Sequence, residues 1–161
     1  MDRCGTTELP RIPDGPAGLR STAQVDFHTG RALWPVQKCH LNAMVADTDK
    51  WEQSAAFALD AQPGVAKWVK NDHLGFTVPY QKGSLPHQYR PDFIAVLDTG
   101  IQLVIELKGV VGDDAHIKQA AMKRWVDAVN LDGRFGLWAC EMVTHPGDLA
   151  KLVYRHARTL T

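Results

Sequence analysis

Tyr89-Arg-Pro-Asp-Phe-Ile-Ala-Val-Leu-Asp-Thr-Gly-Ile-Gln-Leu-Val-Ile-Glu-Leu-Lys108 holds two apolar runs that meet at Asp98-Thr99-Gly100. The second run, Ile101 to Lys108, alternates with period two. Ile101, Leu103, Ile105 and Leu107 therefore share one face of a strand, and Glu106 and Lys108 project together from the other. A two-residue turn at Thr99-Gly100 would pair Asp98 with Ile101 and send Asp92 to the wrong face. A three-residue loop pairs Leu97 with Ile101, sets Asp92 opposite Glu106 and gives Gly100 the left-handed position such loops favour. The stretch predicts an antiparallel hairpin whose open end gathers two acids and a lysine.

That residue set suits metal-dependent phosphodiester hydrolysis. Carboxylates hold a hard cation such as Mg²⁺, for which Mn²⁺ can substitute. The cation stabilises charge on the phosphate and acidifies the attacking water, which the lysine orients or helps deprotonate. The plainer reading stands beside it: a Glu-x-Lys pair is common on a solvated strand face, and Pro-Asp often marks only a turn. The spacing alone does not decide between them.

The rest of the chain narrows the choice. At 161 residues it fits one domain with a sizeable core. Eighteen Lys and Arg balance eighteen Asp and Glu, so nucleic-acid binding would have to come from a local patch. Cys4, Cys39 and Cys140 are odd in number and far apart, which argues against a disulfide framework or a zinc knuckle and suits a reducing cytoplasm. No apolar run approaches membrane-spanning length and no signal-peptide core is visible, so a soluble cytoplasmic protein without a membrane partner is expected.

Residues 1–21 carry Pro10, Pro13, Gly15, Pro16 and Gly18 and read as a flexible leader, with a single domain over 22–161. From Ala23 to Val45 the apolar residues lack helical period, which predicts short strands or an extended wrap. A helix follows, capped by Asp49 with Glu52 completing a capping box; its stripe is Trp51, Ala55, Ala58 and Leu59. Val65, Trp68 and Val69 suggest a second short helix. Phe76 to Tyr80 reads as an edge strand, because Pro79 lacks a donor, and Gln88 to Leu97 as a longer one. Asp113 or Asp114 can cap the next helix, striped by Ile117, Ala120, Ala121, Trp125, Ala128 and Val129, with Gly133 past its end. Phe135 to Cys140 reads as a buried strand, and Pro146 opens a closing helix with Leu149, Leu152 and Val153 inward. The expected fold is mixed α/β: a central mixed β-sheet flanked by helices, in αβββαβ order, behind an N-terminal extension.

That order, with Asp on the second strand and Glu-x-Lys on the third, resembles the PD-(D/E)XK nuclease superfamily. Longer segments sharpen the likeness. Trp51-Glu-Gln-Ser-Ala-Ala56, Val69-Lys-Asn-Asp-His-Leu-Gly-Phe76, Tyr89-Arg-Pro-Asp-Phe93, Ile105-Glu-Leu-Lys-Gly109 and Arg124-Trp-Val-Asp-Ala-Val-Asn130 look like the C-terminal nuclease region of type III restriction endonuclease Res subunits. The likeness runs from about Thr22 to the last helix. It implies a restriction-endonuclease-like core and Mg²⁺-dependent cleavage of double-stranded DNA. Asp92 and Glu106 would be metal ligands, the backbone carbonyl of Leu107 a third, and Lys108 the lysine that orients water. Glu52 matches the helical carboxylate seen in many members. The family's translocase and its methylating recognition subunit would be partners, because this sequence has no Gly-x-x-x-x-Gly-Lys-Ser/Thr phosphate loop.

Other features keep two readings. Glu52 can serve the cap, the metal, or both. Lys118, Lys123 and Arg124 lie on the polar side of the helix after the site, as a solvated face or a phosphate-binding stripe; Lys118, nearest the helix start, is the best placed for DNA. Trp125 reads as core. His40-x-Asn42 lacks the second histidine a metal-finger nuclease needs. Asn71, Asp72 and His73 either cap a helix end or line the DNA cleft, and the sequence does not decide. The expected activity is a restriction-type endodeoxyribonuclease. The rivals are a non-catalytic DNA-binding or docking module on the same fold, and a junction-resolving or repair nuclease.

Overall fold

The computed structural model describes residues 21–45, 50–108 and 114–158. The leader at 1–20 and the expected cap residues Asp49 and Asp113 lie outside them. Ser21 caps a 3₁₀ turn at Thr22–Gln24, and the extended segment after it carries β1 (Leu33–Trp34) and β2 (Met44–Val45), which pair antiparallel. There follow α1 (Lys50–Ala61), β3 (Val65–Lys70), β4 (Val78–Lys82), β5 (Leu85–Tyr89), β6 (Phe93–Leu97) and β7 (Gln102–Leu107). α2 (Asp114–Asp132), β8 (Trp138–Val143), a 3₁₀ turn at Pro146–Asp148 and α3 (Leu149–Ala157) complete the described chain.

The architecture is mixed α/β. β3, β6, β7 and β8 form one sheet in that order: β3 to β7 run antiparallel, and β8 lies parallel to β7 after the α2 crossover. Alternation along β6 and β7 builds two cores. Phe93, Ala95, Leu97, Leu103 and Ile105 pack against Ala55, Ala56 and Leu59 of α1 and Leu149, Leu152 and Val153 of α3. On the other face Val69, Val104 and Trp138 meet Met122, Trp125, Val126 and Val129 of α2, with Phe76, Val78 and Tyr89. Each large apolar side chain so buried contributes about 1.5–3 kcal/mol. No described helix is long and apolar enough to cross a membrane.

Several expectations are corrected. Val65 to Val69 is β3, not a helix. Val65, Trp68 and Val69 fit helical spacing, but a bulge between Val65 and Lys67 produces the same spacing in a strand buried on both faces. The predicted strand at Phe76–Tyr80 is not in the central sheet: β4 pairs only with β5, as a separate hairpin, so β3 supplies the first strand of the meander. The long strand from Gln88 is split, with Tyr89 ending β5 and Phe93 starting β6. Pro91 at the break has no N–H to give a ladder. On α2, Trp125, Ala128 and Val129 are buried as expected, but in its first half Ile117 and Ala120 are exposed, and Ala115, Met122 and Val126 join the buried face instead. Trp51 is exposed, its ring edge-on to His145. β8 begins at Trp138, not Phe135. Gly133 ends α2 with φ +74°, and Pro146 leads into α3, as the sequence suggests.

Candidate active site

The β6–β7 hairpin has the register that the chemistry needs. Phe93 pairs with Ile105, Ala95 with Leu103 and Val96 with Gln102, and Leu97 N–H donates to Ile101 O at 2.9 Å. Gly100, at φ +85°, closes the three-residue loop, where other residues would be strained. Extended by one residue, the register sets Asp92 opposite Glu106. There the regular ladder stops. Asp92 N–H donates to Ile105 O at 3.1 Å, and Leu107 N–H donates to Asp92 Oδ2 at 2.7 Å, so the side chain takes a bond that a strand carbonyl would otherwise accept.

Asn71 fixes this departure from the other side. It is 3 % exposed; its backbone N–H donates to Asp92 O, and its Nδ2 donates to the carbonyls of Pro91 and Phe76, each at 2.8 Å. Of the two readings of Asn71, Asp72 and His73, the structure gives no helix cap: all three line the cleft beside Asp92, Asn71 as its buried floor. Asn71 is a buried strut that seats the Pro91-Asp92 step. No local pattern in the sequence announces it, because its partners lie in other elements.

Glu106 is 9 % exposed, and its Oε2 has no hydrogen-bond donor among the described residues. Burial, then the charge of Asp92, push its carboxyl up to about 7; Lys118 and Lys108 pull the other way, and Glu52 adds a last upward push. Tyr89 lies close enough to feel the Glu106 charge. It is 6 % exposed, its hydroxyl is likewise without a partner, and burial followed by the charges of Glu106, Cys140 and Asp92 pushes the phenol above its usual range. Lys118 stands over the Tyr89 ring, Nζ 5.6 Å from its centroid. This contact lifts Lys118 out of the plain solvated-face reading. Lys123 and Arg124 are exposed on α2. Tyr89 is a site residue that the sequence reading missed; it becomes visible only once β5 folds onto α2.

Glu52 occupies the first turn of α1, and Lys70 Nζ approaches its Oε2 at 2.7 Å. The approach lies off the hydrogen-bond direction, so the contact is an ion pair rather than an aligned bond. Glu52 and Asp92 both line a cleft of about 430 Å³ whose walls include Phe27, Lys70, His73 and Arg90. Asp114, the first residue of α2, accepts from Lys82 Nζ at 2.9 Å and ties the β4–β5 hairpin to that helix.

The donor set is all oxygen: the carboxylates of Asp92 and Glu106, with the carbonyl of Leu107 between Glu106 and Lys108. A buried carboxylate oxygen lacking a donor, beside a second acid, fits a hard cation, which would supply the missing partner. Among the described residues no three His, Cys, Asp or Glu side chains cluster as a ready-made ion site, and Glu52 pairs with Lys70 while its charge still reaches Glu106. Compared with protein-family models, curated proteins and solved structures, the chain matches none.

Proposed function

We propose that the chain is a Mg²⁺-dependent endodeoxyribonuclease module with a PD-(D/E)XK core, similar to the nuclease domain of type III restriction Res subunits. The observation that carries this reading is Glu106: a buried carboxyl, with an oxygen that lacks a donor among the described residues, next to Asp92 and within reach of two lysine charges. A carboxyl in a purely structural role is expected to have hydrogen-bond partners, because a buried polar group without one is costly whether charged or neutral. The element order adds support, with three antiparallel strands, a crossover helix and a parallel fourth strand.

In this reading Asp92, Glu106 and the Leu107 carbonyl hold the cation. Bound there, it neutralises charge on the phosphate and acidifies water. The chain's own groups do the rest. The Leu107 N–H and Asn71 hold Asp92 in place before substrate arrives. Lys108, on the same strand face as Glu106, would orient the attacking water and steady the negative charge that forms on it. Lys118, held over Tyr89, anchors a backbone phosphate.

The test is incubation with supercoiled plasmid in Mg²⁺, Mn²⁺ or EDTA, alongside solution mass. Nicked or linear product that requires the ion is the expected result. A rival reading draws on the Lys70–Glu52 pair, which removes one carboxylate from the ligand set: a DNA-binding or docking module that keeps the fold without catalysis. DNA binding with no cleavage under any ion would favour it. A stable dimer that cleaves branched DNA in preference would favour a junction-resolving or repair nuclease.

A further inference from the structure

The cleft that opens beside Asp92 carries an aromatic platform that the hydrolysis does not use. Phe27, from the extended N-terminal segment, stacks on His73 with ring centroids 3.9 Å apart and planes 17° from parallel. With one face of the imidazole covered by Phe27, 56 % of the His73 side chain remains exposed, and both rings line the cleft. Asp72 Oδ1 lies 2.9 Å from Nδ1 and fixes the tilt of the ring. His73 also has φ +57°, the one described non-glycine residue in the left-handed region, so the loop after β3 holds the ring at a backbone cost. Exposed Arg90 reaches the same cleft from the step before Pro91-Asp92.

A duplex cannot enter such a space. A volume of about 430 Å³ is at the small end for ligand pockets, which run from roughly 300 to 1,000 Å³. It suits one nucleotide: a flat base against an exposed imidazole face, and a phosphate between Arg90 and the acid that ends the cleft. Phe, Tyr, Trp and His side chains stack unpaired bases in this way.

We propose that this cleft binds a single nucleotide unstacked from its strand, its base lying on His73 backed by Phe27, and that the DNA cut at Asp92 and Glu106 is presented with that nucleotide out of the helix. The proposal names the form of substrate for the site described above and so rests on the nuclease reading for its cleavage half. Its binding half stands alone.

The probes are a short thymidine oligomer and an oligomer of equal length made of abasic sugars, which carries the same phosphates and no bases. Binding to each is followed by fluorescence anisotropy in Ca²⁺, with plasmid cleavage in Mg²⁺ measured in parallel. The wild-type protein is expected to bind the thymidine oligomer about tenfold or more tightly than the abasic one, the scale of one base–aromatic stack. His73→Asn keeps the left-handed backbone, which Asn tolerates, and removes the ring. It should collapse the ratio towards one, and Phe27→Leu, which removes the backing ring, should lower it. Equal affinities for the two oligomers in the wild type, or a ratio unchanged in both variants, overturns the proposal. Plasmid cleavage without base discrimination leaves the nuclease reading standing and sinks this one. Base discrimination that depends on His73, without cleavage under any ion, keeps the nucleotide site and removes the nuclease reading.

Discussion

Two carboxylates, half-buried Asp60 and buried Glu106, are treated in opposite ways in this fold. Asp60, near the C-terminal end of α1, receives donors on both oxygens: Gln37 N–H at 3.1 and 3.0 Å, Lys38 N–H at 2.7 Å and the Trp68 indole at 3.0 Å. Burial pushes its carboxyl up, but those donors and the Lys38 charge outweigh it and hold Asp60 below the usual carboxylate range. Glu106 is buried against a second acid, has no donor on Oε2, and is pushed up to about 7. Depth of burial and the supply of N–H groups together set the proton affinity of each acid here. Asp60 spends its lone pairs on tying the N-terminal wrap and β3 to α1, against the unfavourable field at a helix C-terminus. Glu106 keeps an oxygen that no donor of the described residues reaches.

The largest effects should fall on one side of that divide. Asp92→Ala, Glu106→Ala and Lys108→Ala are each expected to lower Mg²⁺-dependent plasmid cleavage by about a hundredfold or more, with the circular dichroism spectrum unchanged. Asp60→Ala should do the reverse. It removes several charge-assisted bonds and should cost about 2–3 kcal/mol of unfolding free energy, while its folded fraction cleaves at the wild-type rate. If Asp60→Ala is as inactive as Glu106→Ala at equal folded protein, the contrast between clamp and site is broken.

A pH titration of stability in EDTA separates the two acids next. The carboxyl of Glu106 is raised in the folded state, so folding takes up a proton between its ordinary value and about 7. Its contribution is full below about pH 4.5 and is lost as the pH rises through 7, on the order of 3 kcal/mol in all. Asp60 is lowered, so its contribution is present above the ordinary carboxylate value and is lost only as acid reaches its depressed one. Denaturant titrations of Glu106→Gln should lose the decline between pH 4.5 and 7 and keep the acid limb. A decline that persists in this variant would trace to another group.

Much of this arrangement is legible in the sequence, where the signal is local. Alternation from Ile101 to Lys108 gives the strand and its faces, and Gly100 with a required Asp92–Glu106 pairing gives the loop length. What fails is spacing that two structures share: Val65, Trp68 and Val69 satisfy a helix and equally a bulged strand. What stays hidden is non-local. Tyr89 ends a hairpin strand that is otherwise exposed, and nothing around it tells that α2 and Lys118 will close over it. Asn71 looks like a turn residue until the carbonyls of Phe76 and Pro91 arrive at its amide.

That amide offers a middle-sized test, since Asn71 serves the site by bracing Asp92 rather than by chemistry. Asn71→Ala leaves two buried carbonyls without donors, a loss of about 1–3 kcal/mol in chemical denaturation. Cleavage should fall as well, through turnover more than through DNA affinity, because the backbone that carries Asp92 is loosened. A stability loss with unchanged turnover would make Asn71 part of the clamp side of the molecule.

The smallest expected effect is at Glu52, which sits between the two classes. Like Asp60 it has a partner, Lys70 at 2.7 Å; like Asp92 it borders the cleft, and its charge reaches Glu106. Glu52→Gln removes one negative charge and leaves the Lys70 ammonium facing that cleft. The pair is partly exposed, so its loss should change stability by no more than about 1 kcal/mol. The same change makes the neighbourhood of Asp92 and Glu106 less attractive to a cation, and outer groups of this kind alter metal affinity by about ten- to a hundredfold at most. With Lys70 already offsetting much of the Glu52 charge, the Mg²⁺ dependence of cleavage should move to higher concentration by less than about tenfold, with the same plateau rate. A curve that does not move assigns Glu52 to Lys70 alone. A plateau that collapses would place its carboxylate among the direct ligands, against the geometry of the ion pair.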